Sequence, residues 1–151
     1  MGEARKVEIV SEIWIEAPVE RVWKAVCDEQ PQWYPHSYGR DRLKRIVTEP
    51  RVGGTMYEDW GDGAGHLYSH ITHWDPPTTL GTRGALRGGI VLEHWYTFAE
   101  DDGGTVLTQT TITFGAIDDD METGIRSHGD LSRFESSLRA WVEKGEPVVR
   151  D

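Results

Sequence analysis

Apolar and polar residues alternate from Val7 to Ile15, with Val7, Ile9, Ile13 and Ile15 on one face and Glu8, Val10, Glu12 and Trp14 on the other. Successive side chains of a strand point to opposite faces, so this segment predicts a half-buried strand. It stops at Glu16-Ala17-Pro18, and the period then changes. Val19, Val22, Trp23 and Val26 recur at helical spacing through Cys27, with Pro18 suited to the first turn of a helix. From Asp28 to Gly39, Pro31, Trp33, Tyr34, Pro35, His36 and Tyr38 interrupt any long helix. The stretch is too aromatic for a solvated loop and predicts a helical turn that tucks Trp33 inward.

From Leu43 the pattern becomes strand, turn, strand: Leu43–Glu49, Thr55–Trp60, His66–Trp74, Thr79–Leu86, Ile90–Ala99 and Thr105–Phe114. Each break carries residues that turn a chain: Pro50 with Gly53-Gly54, Gly61-Asp62-Gly63, Asp75-Pro76-Pro77, Gly88-Gly89 and Asp102-Gly103-Gly104. Parallel pairing needs a crossover of about a dozen residues between strands, and these breaks are too short, so the strands form an antiparallel meander. Asp118 to Lys144 predicts one long helix, on which Met121, Ile125, His128, Leu131, Phe134, Leu138 and Trp141 make an apolar stripe. Asp118, Asp119 and Asp120 suit its N-terminus and Gly145 its end, while Gly124 and Gly129 weaken its first half. The expected fold is α+β: a curved antiparallel seven-stranded sheet, two short helices after the first strand, and a long C-terminal helix gripped by the sheet.

Composition narrows the function classes. A chain of 151 residues fits a single domain over 1–151. Seven Trp residues provide for a large core or an aromatic-lined cavity. The formal net charge is −10, and the basic clusters, Arg40 to Arg45 and Arg83 with Arg87, are short, which argues against nucleic acid and against a membrane-surface helix. The single cysteine, Cys27, excludes an intrachain disulfide, and no run reaches the ~18 apolar residues of a membrane span. The first residues lack the apolar core of a signal peptide, so the expected location is cytoplasmic.

Several motifs, taken in order, resemble the START-like (SRPBCC) superfamily and its AHSA-type branch, named for activators of the heat-shock-protein-90 ATPase. They are Ile15-Glu16-Ala17-Pro18-Val19-Glu20-Arg21-Val22-Trp23, Val52-Gly53-Gly54, Ile71-Thr72-His73-Trp74-Asp75-Pro76-Pro77, and Asp102-Gly103-Gly104-Thr105. Phe134, Leu138, Trp141 and the run Val142-Glu143-Lys144-Gly145 complete the set, so the resemblance spans Val7 to Gly145. It implies a helix-grip fold enclosing a cavity for a hydrophobic small molecule, with no cofactor; it implies no particular reaction. A homodimer is compatible with it.

Matching the family's pattern of inward positions puts His94, Tyr96 and Phe98 on the inner face of one strand, and Leu107, Gln109, Thr111 and Thr113 on its neighbour. His94 and Gln109 then stand where the pattern has apolar side chains, and buried polar groups need partners, either each other or a ligand. His128 and Ile125 lie on the helix stripe facing them. His94 and His128 are the candidates for acid–base work, and Trp33 and Trp60 the better candidates for an aromatic wall. Asp59, Arg83 and Glu93 read as the solvated outer face, and Cys27 as packing.

His66, His70 and His73 do not make a metal site, because strand residues four apart are on the order of 13 Å apart and His70 and His73 point to opposite faces. No nucleophile elbow or phosphate loop occurs. Three functions stay open. The first is a binding protein for a hydrophobic or aromatic metabolite. The second is a polyketide cyclase or aromatase-like enzyme, or a self-sacrificing resistance protein for a reactive secondary metabolite. The third is a co-regulator of a chaperone ATPase.

Overall fold

A computed structural model describes residues 3–128 and 132–150. Seven strands, β1 (Ala4–Ile15), β2 (Arg45–Thr48), β3 (Thr55–Gly61), β4 (Ala64–Asp75), β5 (Thr79–Leu86), β6 (Ile90–Asp101) and β7 (Gly104–Ala116), form one sheet. Its order is β1-β7-β6-β5-β4-β3-β2, with every neighbouring pair antiparallel. The meander runs β2 to β7, and β1 closes onto the last strand. Helices α1 (Val19–Asp28) and α2 (Gln30–Trp33) follow β1, as the change of period predicts, and a 3-10 turn at 40–42 precedes β2.

Two turns show how local chemistry sets register. Asp62-Gly63 and Asp102-Gly103 join their strands with φ values of 55 and 80°, and 46 and 78°. Such two-residue turns need positive φ, which glycine adopts at no steric cost and aspartate tolerates. The Asp75-Pro76-Pro77 turn contains a cis peptide between its prolines.

The segment expected as one long helix is described as two, α3 (Asp119–His128) and α4 (Ser132–Lys144). Gly129 and Leu131, together with the side chain of His128, lie outside the described residues. Helix α4 packs on α1, α2 and β1, and α3 packs on β1.

The core falls into two clusters. The larger joins Ile13, Ile15, Val22, Trp23, Val26, Trp33, Ile71, Leu80, Phe98, Leu107 and Leu138 beneath α1, α2 and α4. The smaller joins Val7, Ile90 and Ile117, with Ile125 of α3 packed against it. Strands β1 and β6 contribute to both clusters, and β7 runs from Leu107 in the larger one to Ile117, just past its end, in the smaller. Their inward residues fill the core at each end, which leaves the middle of each strand to be accounted for.

Candidate functional site

A half-enclosed cavity of about 210 Å³ lies over those middle positions. Its floor is Ile9 of β1, Leu92, His94 and Tyr96 of β6, and Gln109, Thr111 and Thr113 of β7, with Leu86 of β5. The register aligns them, His94 opposite Thr111 and Tyr96 opposite Gln109. The other walls are Trp33 and Tyr34 at the end of α2, Ile125 of α3 and Phe134 of α4. An apolar cavity of about 150 Å³ holds benzene, so this space suits a molecule of one or two rings. None of the described lining residues carries a formal charge at pH 7.

Burial holds His94 neutral, pushing its pKa down to about 4. Its Nδ1 lies 3.5 Å from the Thr111 hydroxyl, the outer limit of a hydrogen bond, and its ring stacks at 11° on Tyr96. Burial also pushes the Tyr96 phenol up to about 12 and raises the Tyr34 phenol further, so both stay protonated donors. Among the described residues, the Tyr34 and Tyr96 hydroxyls, the Gln109 amide and His94 Nε2 make no hydrogen bond, and all four residues line the cavity, Tyr34, His94 and Tyr96 half-buried. They form a polar stripe in an otherwise apolar chamber.

The aromatic wall is fixed from behind. Trp33 Nε1 donates to the Ala25 carbonyl at 2.7 Å, tying α2 to α1, and Ser137 Oγ donates to the Trp33 carbonyl at 2.6 Å, tying α2 to α4. Tyr34 packs against Trp33, Phe134 and Tyr68 at ring-centroid distances of 5.8, 5.3 and 5.9 Å.

Of the residues expected to contact a ligand, Trp33, His94, Tyr96, Gln109, Thr111 and Ile125 meet at this cavity. Phe98 and Trp60 are placed elsewhere. Phe98 faces inward at the end of β6 covered by α1, where it packs edge-on against Trp23 at 5.1 Å within the larger core cluster. Trp60 lies over Gly39, so close that a Cβ there would meet the indole, with Arg42 stacked 4.2 Å from its ring. Leu92 and Phe134 were not singled out as ligand contacts. Leu92 could have been found as the residue two before His94, on the same face, and Phe134 from its place on the helix stripe.

A second buried polar group went unnoticed in the sequence. Glu58 of β3 is fully buried and accepts five hydrogen bonds: from Ser37 Oγ at 3.1 Å, the Tyr38 and Gly39 amides at 2.8 and 2.9 Å, Trp60 Nε1 at 2.9 Å, and a short one from the Tyr68 hydroxyl. Burial alone would raise its pKa, but the bonds from Tyr68, Trp60 and the two amides outweigh it and hold the carboxyl at about 2. Asp59, Arg83 and Glu93 face outward in ion pairs, Asp59 with Arg45 at 2.7 Å and Arg83 with Glu93 at 3.2 Å. Cys27 is buried, and burial raises its thiol to about 12, a packing residue rather than a nucleophile. Among the described residues no three His, Cys, Asp or Glu side chains converge as metal ligands. His66 stacks on Tyr38, whereas His73 packs against Trp95.

A seven-stranded antiparallel sheet around an uncharged cavity, closed by helices, defines a helix-grip architecture. The model of one family, described as polyketide cyclase/dehydrase and lipid transport, matches residues 6–144, and the chain belongs to that family. No curated protein matches the sequence. Among solved structures, DynU16, a protein of the dynemicin biosynthetic locus, is similar with 22% identity and a TM-score of 0.69 over 93% of this chain. The chain spans 48% of DynU16, about half its length. Protein NE0264 from Nitrosomonas europaea matches at 12% identity and a TM-score of 0.69, covering 92% of this chain and 96% of that one. The Aha1 dimer from Colwellia psychrerythraea matches at 19% identity and a TM-score of 0.66, covering 92% and 98%. At these identities the likeness is one of fold. Among the described residues, no helix is long and apolar enough to cross a membrane.

Proposed function

We propose that the protein binds an uncharged, flat aromatic metabolite of one or two rings that carries hydrogen-bonding oxygens along one edge. The observation that carries this reading is the stripe formed by Tyr34, His94, Tyr96 and Gln109, cavity-facing polar groups without hydrogen-bond partners among the described residues in a cavity without formal charge. A ligand that pairs with these groups gains about 0.5–1.5 kcal/mol for each hydrogen bond it makes. A carboxylate or ammonium ligand would find no opposite charge there and would lose its hydration. Membership of the polyketide cyclase/dehydrase and lipid transport family supports the ligand class.

Calorimetric titration with 2-naphthol and with 2-naphthoate tests the reading. Saturable binding of 2-naphthol, at least about tenfold tighter than 2-naphthoate, is expected. Equal affinities, or no binding of either, would refute it.

One observation favours an enzymatic extension. His94, neutral at pH 7, and Tyr96, a protonated phenol, face one chamber from alternate positions of β6, an acceptor beside a donor as aldol closure and dehydration of a polyketide require. Turnover of a polyketide thioester that disappears in His94→Ala would support the extension, and unchanged turnover would remove His94 from it. A paired assembly resembling the Colwellia Aha1 dimer is a separate proposal, answered by sedimentation velocity.

A further inference from the structure

Helix α2 is one turn long, far below the length at which a helix holds itself in water, yet it carries the aromatic wall of the cavity. Within this turn only the Gln30 carbonyl is paired by the helix, accepting from the Tyr34 amide at 2.8 Å, and the carbonyls that follow it have no helical partner. Here donors from the far end of the chain reach every carbonyl from Gln30 to Tyr34. Gly145, with φ 67°, turns the chain after α4, and the segment 145–150 runs back along α2. Val148 N donates to the Gln32 carbonyl at 2.7 Å. Arg150 Nη2 donates to the carbonyls of Pro31 at 2.6 Å and Gln30 at 3.5 Å, and its Nε donates to that of Tyr34 at 2.9 Å. The Trp33 carbonyl is taken by Ser137. On its other side the Tyr34 ring rests against Tyr68, whose hydroxyl is held by Glu58.

We infer that Arg150 is a positioning residue for the ligand cavity: segment 145–150 is a latch that holds the Trp33–Tyr34 wall, and latch docking and ligand occupancy strengthen each other. The inference rests on the reading of the cavity as a binding site. Its chemistry needs the guanidinium, whose fixed fork reaches carbonyls on both sides of the turn, where a lysine ammonium is a single point donor. Any coupling between latch and ligand is reciprocal, since each must stabilise the other by the same factor.

Hydrogen exchange and stopped-flow release of 2-naphthol, measured on the wild type, Arg150→Ala and Arg150→Lys, test this. In Arg150→Ala, the amides of Gln30, Gln32, Trp33 and Tyr34 are expected to exchange faster, and 2-naphthol to dissociate at least about fivefold faster, with Arg150→Lys between it and wild type. In the wild type, bound 2-naphthol is expected to slow exchange at Val148, a response that a merely structural contact would not give. Unchanged exchange at 30–34 in Arg150→Ala would overturn the latch. Faster exchange with 2-naphthol release within about twofold of wild type would overturn its link to the ligand. If 2-naphthol fails to bind the wild type, the cavity reading falls, and the latch stands or falls on exchange at 30–34 alone.

Discussion

Two polar sites, one sealed and one open to a cavity, flank the same pair of tyrosines and are built on opposite principles. At Glu58, five donors converge on one carboxylate, and a charge fully removed from water is stabilised in its ionised form. In the cavity, the hydroxyls of Tyr34 and Tyr96, His94 Nε2 and the Gln109 amide offer donors and acceptors to a space with apolar walls, without hydrogen-bond partners among the described residues. A saturated cluster fixes geometry, because three of its five bonds would be lost if the loop at 37–39 moved; an unsaturated stripe leaves bonds for something else to make. The packing of Tyr34 on Tyr68 joins the two sites, so the rigid cluster supports the wall of the receptive one.

The contrast predicts opposite responses to substitution. The largest effect is expected for Glu58→Ala, which strands the hydroxyl of Tyr68, the indole of Trp60 and two backbone amides. A loss of about 3–5 kcal/mol in urea unfolding follows from breaking a buried, fully bonded charge. A loss under about 1 kcal/mol would show that the cluster is not a structural anchor.

The next effect is a pH dependence. His94 titrates at 6.5 when unfolded and at about 4 in the fold, so between those values the unfolded chain binds a proton that the folded protein does not. Stability is therefore unaffected above 6.5, falls by up to about 3 kcal/mol as pH drops to about 4, and loses nothing further from this group below that. Glu58 contributes in a lower window, its stabilisation being present above 4.5 and lost as pH falls toward about 2. His94→Leu should flatten the upper window alone, which denaturation at pH 7 and pH 4.5 would reveal. A variant with the wild-type slope would place the titration elsewhere.

The smallest effect has the opposite sign. Gln109→Leu replaces a cavity-facing amide that makes no hydrogen bond among the described residues with an apolar side chain, and should raise stability at pH 7 by roughly 0.5–1.5 kcal/mol while weakening 2-naphthol. A destabilisation of that size would mean that Gln109 is already satisfied, and the two sites would no longer differ in kind.

Much of this arrangement was legible in the residues. Turn chemistry placed the strands, and β5 has the bounds its flanking signals predict, because Asp75-Pro76-Pro77 and Gly88-Gly89 leave little choice. Alternation together with family resemblance put His94, Tyr96, Gln109 and Thr111 on one face. What period two cannot tell is which inward residue meets a helix and which meets space. Phe98 shares the face of His94 and Tyr96 but lies beneath Trp23, a meeting set by how α1 sits on the sheet.

Glu58 shared its face with Met56, an apolar residue packed on the core, and that was the available sign of burial. A lone carboxylate in a strand nevertheless reads as solvated, since its donors come from positions 37–39, 60 and 68, whose convergence exists only once the sheet has formed. Trp60 belongs to that convergence, which is why its aromatic character suggested a cavity wall it does not form. The latch was invisible for a related reason: backbone carbonyls carry no mark in a sequence.

The most direct test of the central claim is a crystal structure of the protein with 2-naphthol. The account predicts the ring system between the β6–β7 floor and the Trp33–Tyr34 wall, with its oxygen within hydrogen-bond distance of His94 Nε2, the Gln109 amide, or the hydroxyl of Tyr34 or Tyr96. A ligand on the outer face of the sheet, or one in the cavity with its oxygen turned away from all four groups, would contradict it.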